Sequence, residues 1–420
     1  MKQSRLSAMG AVFGAIALMG AMGGAPAQAQ DQEVRFWTLT FDNDAVSQAF
    51  KNIISGFEKA NPGVKVVIEQ RSTDEHKAAL RVAANSDQAP DIYFMWGGLG
   101  LGGEFVKSGL AADMTKYYDQ YKWDDRFIPP ALALAKQYPG GTFGVPYTFR
   151  GETLYYNKAL FAKAGITAPP TTWAELDAAA DKLVASGVAA ISFGGTVNWH
   201  VMRMMDAILE ATCGAEKNDG LMAMTLDWSK EECATQAFQE FHKWTSKYFL
   251  RPFMGIDNNQ AFNLFLQGRS AMALEGDWFV DQLRGAGANL DDYDTFQIPT
   301  GTGRLYGFGE YNYVSSKSKN PDTAAKFLDY LESDAVQQEN LGRFGALSVN
   351  KNVKYDNISA LAKRVQGIFA SAKGLYVNGD QAFPLTETTE YWRIINDVAS
   401  DSLDPAQAAG QMQAFIAAHK

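Results

Sequence analysis

The alternation of two hydrophobic spacings between residues 33 and 96 constrains the fold more than any other feature of the chain. EVRFWTLT (33–40), VKVVIEQ (64–70) and DIYFMW (91–96) have the composition of strands. The segments between them carry apolar residues at helical spacing, and Asn61-Pro62-Gly63 ends the first of them. This β-α-β-α-β order predicts an α/β fold with a parallel sheet covered by helices.

The same alternation continues through the rest of the chain. Strand-like segments are found at 144–158, 190–196 and 305–316, and a capping box from Thr172 to Glu175 predicts a helix that runs to Val184. About 390 residues follow the first 29, which is enough chain for two domains.

The first 29 residues have the pattern of a secretory signal peptide. Lys2 and Arg5 precede an apolar, Gly- and Ala-rich stretch (6–24), and Ala27-Gln28-Ala29 has the form of a cleavage site. An N-terminal membrane anchor is the alternative, but no charged stop follows the apolar stretch. We therefore predict cleavage after Ala29 and a periplasmic protein.

The predicted export and the negative net charge limit the molecules that this protein can bind. The full chain has a net charge of −9, and residues 1–29 hold two basic and no acidic side chains, so the mature chain carries −11. An acidic protein is a poor partner for nucleic acid or anionic lipid, and we expect no nucleic-acid partner.

Cys213 and Cys233 are the only two cysteines of the sequence. In an oxidising compartment they predict a disulfide bond, with two free buried thiols as the alternative. A closed loop of about 20 residues contributes roughly 3 kcal/mol to stability on the chain-entropy account. Because there is no C-x-x-C, we interpret the bond as structural.

The segment DIYFMWGGLGLGG (91–103) matches G-x-G-x-x-G at Gly98, Gly100 and Gly103. A dinucleotide turn belongs to the first β-α-β unit and opens a long helix. Here the first unit has passed without such glycines, and the helix that follows is short. We therefore expect no nucleotide and no other cofactor.

A second interpretation of the same loop involves Trp96 at the end of its strand. Since Gly97 and Gly98 lack side chains, a pyranose ring can approach the indole and the backbone amides closely. The alternative is that the glycines only form a flexible turn.

The sequence has no strong catalytic motif. Its histidines lack H-E-x-x-H spacing, no G-x-S-x-G is present, and the S-x-x-K from Ser316 to Lys319 lacks its companion motifs. We therefore predict no catalytic residue, no metal site and no enzymatic activity.

Several segments together resemble a known family, the extracellular solute-binding proteins of sugar-importing ABC transporters, which includes maltose-binding protein. The segments occur in the family's order and span nearly the whole mature chain. They are FEKANPGVKV (57–66), APDIYFMWGG (89–98), GVPYTFRGETLYYNKALFAKAGI (144–166), PPTTWAEL (169–176), LFLQGRSAMALEGDW (264–278) and SKNPDTAAKFLDYL (318–331).

The resemblance implies two α/β lobes joined by a hinge, each a mainly parallel sheet flanked by helices. It places the N-lobe at 30–147 plus 300–345 and the C-lobe at 148–299 plus 346–420. The chain would cross between them near 147–150, 296–299 and 344–347. A ligand would bind between the lobes, at the carboxyl ends of strands.

The resemblance also implies partners. The ligand would be a sugar, and the several aromatic residues favour a di- or oligosaccharide. A monomeric binding protein would deliver it to the permease subunits of an ABC importer, which work with a cytoplasmic ATPase.

A sugar presents hydroxyls at its rim and C–H groups on its faces, so planar polar and aromatic side chains near strand ends are the candidate ligand contacts. Trp199 and Trp392 match family aromatics, and Arg150 stands where maltose-binding protein presents a carboxylate. The predicted substrate-binding residues are Phe41, Asp42, Asn43, His76, Trp96, Gly97, Arg150, Asn198, Trp199, His200, Glu275, Asp277, Trp278, Gly309, Glu310 and Trp392.

Alternatives remain for several of these residues. Arg150 could form an inter-lobe salt bridge, His76 could be a solvated helix residue, and Asp42 could only cap the following helix. A tryptophan at helical spacing could belong to the core. At the level of function, the rivals are a polyamine, a metal chelate or a phosphate ester as ligand, or a secreted carbohydrate-active enzyme.

Overall fold

The computed structural model describes residues 32–41, 43–341, 348–356 and 358–419. The predicted signal peptide, Asp42 and the crossing near 344–347 lie outside these residues. The strands are β1 (Gln32–Leu39), β2 (Val64–Arg71), β3 (Ile92–Trp96), β4 (Val145–Asn157), β5 (Ala189–Ile191), β6 (Ser270–Gly276), β7 (Tyr293–Phe296), β8 (Leu305–Val314) and β9 (Leu375–Tyr376).

The helices alternate with these strands. They are α1 (Asp44–Ala60), α2 (Thr73–Ala84), α3 (Gly102–Lys107), α4 (Thr115–Tyr121), α5 (Trp123–Arg126), α6 (Pro129–Ala135), α7 (Lys158–Lys163), α8 (Trp173–Ala185), α9 (Asn198–Met222), α10 (Glu232–Lys247), α11 (Asn258–Leu266), α12 (Phe279–Gly285), α13 (Pro321–Leu331), α14 (Asp334–Glu339), α15 (Ala360–Ser371), α16 (Gly379–Ala382), α17 (Leu385–Ala399) and α18 (Pro405–His419). Among the described residues, no helix combines the length and apolarity that a membrane crossing needs.

The predicted β-α-β-α-β unit is present, and the α/β fold class is confirmed. β1 pairs in parallel with both β2 and β3, and α1 buries Val46, Phe50, Ile53 and Phe57 against this sheet. Asn43 caps α1, because its Oδ1 accepts from the amides of Ala45 and Val46 at 3.0 and 3.1 Å.

The sheet is mixed beyond this unit, so the mainly parallel arrangement does not extend to both lobes. Its order is β2-β1-β3-β8-β4-β6-β5, with β7 beside β4 and β9 beside β8. β8 pairs antiparallel with β3 and β4, and β4 pairs antiparallel with β6 and β7. The chain leaves the first part of the molecule along β4 and returns to it along β8. Because the two strands run in opposite directions and lie side by side, they pair antiparallel.

The two larger of the three hydrophobic cores among the described residues lie on either side of these two long strands. β4 contributes Phe149 to the core beside β1, which we call the first core, and Leu154 to the core beside β6, which we call the second core. β8 contributes Tyr311 to the first core and Tyr306 to the second. One of the predicted crossings between the lobes is at 296–299. Phe296 and Ile298 pack in the second core, so the chain returns to the first part of the molecule later, along β8. The lobe boundaries themselves stay predictions.

The predicted disulfide bond is confirmed. Cys213 in α9 is bonded to Cys233 in α10, and their Cα atoms are 5.1 Å apart. α9 is kinked at Gly214, which has a φ of 74° that favours glycine. The bond therefore fixes the chain beside a break in its longest helix.

Candidate ligand-binding cleft

A cleft of about 320 Å³ lies between the two cores. One side is formed by the end of β1, by α2 and by the end of β3. The other side is formed by the start of α9, the start of α11, the end of β6 and α16 with its flanking residues. Residues of β4 and β8 lie between the two sides. The cleft is therefore built where both long strands pass from one core to the other.

Three adjacent strands bring polar groups to the base of the cleft. Glu310 of β8 pairs with Trp96 of β3 on one side and with Thr148 of β4 on the other. The Thr148 hydroxyl donates to the Glu310 carboxylate. Arg150 donates through Nε to Glu310 Oε2 at 2.9 Å and through Nη1 to Asp277 Oδ2 at 3.1 Å. Arg150 therefore lines the cleft and joins β8 to the end of β6.

Arg203, on α9, is the buried cation of the opposite side. Its Nη1 lies 2.7 Å from Glu275 Oε2, and its Nε lies 3.0 Å from Glu152 Oε2. Burial raises the pKa of Glu152 to about 8, which leaves Glu275 as the main counter-charge of Arg203 at neutral pH. Burial also opposes ionisation of Glu275, but Arg203 and His200 outweigh it and lower the pKa of Glu275 to about 2.

Two indole rings border this guanidinium. The Arg203 guanidinium carbon lies 4.7 Å from the ring centroid of Trp199 and 5.1 Å from that of Trp278. Trp278 also packs against Phe308 at 5.7 Å between centroids. Both indoles are half-buried, so each keeps surface toward the cleft. The cation and the two rings together form one aromatic wall of the cleft.

His200 lies behind this wall and orients Glu275. Its Nδ1 accepts from the Gly194 amide at 3.0 Å, so the proton is on Nε2, which donates to Glu275 Oε1 at 3.0 Å. Burial lowers the pKa of His200, against the opposing effect of Glu275. A neutral imidazole therefore holds the carboxylate in place.

Lys77 and Asp380 face the cleft from opposite sides. Both are buried, and among the described residues no carboxylate lies within 4.0 Å of the Lys77 ammonium. The ammonium lies 5.0 Å from the ring centroid of Trp96. Burial lowers the pKa of Lys77 and raises that of Asp380, and each group partly offsets the shift of the other. The pair can present a donor and an acceptor to a ligand between them.

Asp380 belongs to a segment, Asn378 to Gln381, that no sequence motif marked. Asn378 Nδ2 donates to Glu152 Oε1 at 3.2 Å, and the Gly379 amide donates to Asp206 Oδ2 at 2.9 Å. Burial raises the pKa of Asp206 to about 7, although Tyr306, Gly379 and Tyr391 all donate to it and lower it. The segment is thus fixed to the second core by buried carboxyl groups.

The structure brings together about half of the sequence-predicted site residues. Those that line the cleft are Phe41, Trp96, Arg150, Trp199, Glu275, Trp278 and Glu310. His200 and Asp277 contact lining residues from behind. Asp42 lies outside the described residues, and Asn43 is occupied as the cap of α1.

The remaining predicted residues are placed elsewhere. Asn198 accepts from Asn396 Nδ2 at 2.8 Å on an exposed surface, and Trp392 packs beside the second core, with its Nε1 3.1 Å from Met202 Sδ. Gly97 and Gly309 allow the approach of the Tyr311 ring, to which an added Cβ would lie 2.9 and 2.7 Å away. Neither glycine lines the cleft.

His76 has neither of the two expected roles. It is fully buried, and its Nε2 lies 2.7 Å from the carbonyl oxygen of Phe94. Burial lowers its pKa to about 4, so the ring is neutral. It attaches α2 to β3, and Lys77, the next residue, is the one that reaches the cleft.

The cleft also contains residues that the sequence analysis did not single out. Most are polar side chains on helices or loops, where spacing does not distinguish a ligand contact from a solvated residue. They include Thr38, Thr40, Thr73, Lys77, Tyr147, Arg203, Asn258, Phe262, Gln282, Phe308, Asn378, Asp380 and Gln381.

Known proteins resemble this chain in sequence and in fold. A maltotriose-binding protein of Pyrococcus abyssi is 26% identical over 301 residues, which cover 68% of this chain and 60% of that protein. A multiple sugar-binding protein of Streptococcus mutans is 22% identical, over 81% of this chain and 82% of that one. A solved structure concerned with xylan utilization by Caldanaerobius polysaccharolyticus superimposes with a TM-score of 0.83 at 24% identity, over 91% of this chain and all of that one.

The family itself is established by a match along most of the chain. The sequence model of the bacterial extracellular solute-binding proteins matches residues 43–338, which include both long strands and most of the cleft. This agrees with the two-core fold and with the cleft between the cores. The chain belongs to the bacterial extracellular solute-binding protein family.

Proposed function

We propose that this protein captures an uncharged sugar in the cleft and delivers it to the permease of an ABC importer. The observation that carries the proposal is the combination of Trp96, Trp199 and Trp278 with the hydrogen-bonding groups between them. Indole faces cover the C–H surfaces of a sugar ring, and fixed carboxylates and amides bind its hydroxyls. The sugar-binding names of the two relatives support the same ligand class.

The charges of the cleft favour an uncharged ligand, since both arginines are paired and Lys77 and Asp380 add one group of each sign. Arg150 is shared between Glu310 and Asp277, and Arg203 is paired with Glu275. An anionic ligand such as a phosphate ester would have to compete with these carboxylates, and a polyamine would have to compete with the two guanidinium groups. Neutral hydroxyls can use the remaining lone pairs and N–H groups without breaking either network.

The remaining parts of the proposal rest on the family and on the N-terminal sequence pattern. The protein would act as a monomer in the periplasm after removal of residues 1–29, and the permease would recognise it once the lobes have closed on the sugar. The aromatic cleft favours a di- or oligosaccharide. Binding without chemical change is proposed, and a secreted carbohydrate-active enzyme is the alternative.

The first experiment is a thermal-shift and calorimetry screen of the mature protein, residues 30–420. The ligands are neutral mono- and oligosaccharides, uronic acids, sugar phosphates and polyamines. Tight binding of one neutral sugar, recovered unchanged, is the expected result, and at one hundred times its dissociation constant it would stabilise the protein by about 2.7 kcal/mol. Binding of only a polyamine or a phosphate ester would overturn the sugar assignment, and a hydrolysed sugar would indicate an enzyme.

A further inference from the structure

The glycine loop, residues 97–103, contacts the segment 378–383 across the cleft. The Leu99 amide donates to the Gln381 carbonyl oxygen at 2.7 Å. The loop is held on the first side, because the Gly97 amide donates to the Gly309 carbonyl oxygen at 2.9 Å and the Gly98 amide donates to the Tyr138 hydroxyl at 3.0 Å. The segment is held on the second side, where Phe383 is part of the second core. The hydrogen bond from Leu99 therefore joins the two halves of the molecule.

Two glycines make this approach feasible. Gly98 has a φ of +102°, and a Cβ there would lie 2.8 Å from Gln381 Cα. Gly100 does not have a positive φ, so its backbone conformation would accept another residue. A Cβ there would nevertheless overlap the carbonyl oxygens of Asp380 and Phe383. The nearest atoms at both positions belong to the opposite segment. A side chain at Gly100 would therefore push the two halves apart without disturbing the loop's own half.

The same segment supplies ligand contacts. Asp380 and Gln381 both line the cleft, and both are buried. We propose that the glycine loop is a docking contact for the closed protein, which positions Asp380 and Gln381 against the ligand. The part that concerns the ligand rests on the proposed function. Two of the three glycines that match the dinucleotide motif, Gly98 and Gly100, are then explained by close backbone packing between the two halves, while Gly103 packs against Gly98 and Tyr138 on its own side.

The test uses Gly100→Ala, with Gly367→Ala on α15 as the matched control, because an added Cβ at Gly367 meets nothing within 4 Å. Distances are measured between spin labels at the exposed positions Lys51 on α1 and Lys182 on α8, with and without the neutral sugar that gives the largest shift in the thermal-shift screen. Sugar affinity is measured by calorimetry, and the urea midpoint of the ligand-free protein verifies folding.

We expect wild-type and Gly367→Ala proteins to share a short-distance population that grows with sugar. Gly100→Ala should lose that population and bind the sugar at least tenfold more weakly, with an unchanged urea midpoint. Identical distances and affinity in Gly100→Ala and wild type would overturn the proposal, as would a wild-type protein that never shows the short distance. The distances measured without sugar test the contact whether or not a sugar binds. If every sugar fails to bind, only the proposed function is overturned.

A second measurement needs no variant. If the Leu99 amide donates across the cleft, hydrogen exchange in the peptide that contains residues 97–103 should slow when the sugar is added. Unchanged exchange there, with slower exchange elsewhere in the cleft, would contradict the docking contact.

Discussion

Arg203 and Glu275 form a buried ion pair, with Nη1 and Oε2 2.7 Å apart, at the centre of the cleft's aromatic wall. The pair comes from the first half of α9 and the end of β6, and the rings of Trp199 and Trp278 border its cation. Arg203 is the main group that offsets the burial of the Glu275 carboxylate.

Arg203→Met should destabilise the protein by about 3–5 kcal/mol, since it leaves the buried Glu275 carboxylate with only neutral His200 as partner. The free energy of unfolding is measured by urea titration at pH 7. The double variant Arg203→Met/Glu275→Gln should recover part of the loss because it removes the uncompensated charge. A loss under 1 kcal/mol in the single variant would show that the pair is not isolated from solvent.

Trp278→Leu should weaken sugar binding at least fivefold, or about 1 kcal/mol, because it removes an aromatic face that borders the cleft. Calorimetry with the cognate sugar measures this effect. Trp392→Leu is the matched control, since Trp392 packs outside the cleft. Equal affinities in the two variants would remove Trp278 from the proposed site.

Glu332→Gln should change how stability depends on pH. Glu332 is buried at the end of α13, neither of its carboxylate oxygens has a hydrogen-bond partner among the described residues, and burial raises its pKa well above 4.5 against the effect of Arg126. The folded state must then bind a proton that the unfolded state releases above pH 4.5. The contribution of Glu332 is therefore intact below pH 4.5 and is lost, by up to about 1.4 kcal/mol per pH unit, as the pH rises toward its folded-state pKa.

The variant should thus match wild type near pH 4 and be more stable than wild type at pH 7, as measured by urea titration at both values. Glu339→Gln serves as the control because Glu339 is exposed on α14. A stability difference between Glu332→Gln and wild type that does not grow with pH would contradict the assignment of a buried, protonated carboxyl group.

Replacement of Cys213 and Cys233 by serine should lower the free energy of unfolding by about 3 kcal/mol, since the bond closes a loop between residues 20 positions apart. Sugar affinity should stay within twofold of wild type, because neither residue lines the cleft. Chemical denaturation and calorimetry measure the two quantities. A large loss of affinity with little loss of stability would place the bond in the binding mechanism instead.

Local patterns in the sequence were sufficient for most of the strands and for the helices α1, α2 and α8, but not for β7 and β9. Apolar residues at helical spacing predicted a helix between the first two strands, and α1 buries Val46, Phe50, Ile53 and Phe57 on one face, because such spacing shows which face of a helix avoids water. The cysteine pair and the ordered family segments needed no coordinates. Residues at the ends of strands, such as Trp96, Glu275 and Trp278, were also identified, because strand ends in α/β sheets commonly lie beside ligands.

The composition of the cleft depended on contacts between segments that are distant in the chain. In the sequence, Arg203 looks like any basic residue of a helix, and Asn378 to Gln381 looks like any polar loop. In the structure, buried carboxyl groups hold both at the surface of the cleft. His76 and Trp392 are residue types that often contact ligands. Here the His76 ring is packed against β3, and the Trp392 ring is packed against Met202. Local spacing gives the direction of a side chain relative to its own element, and the packing of the two cores sets which elements that side chain meets.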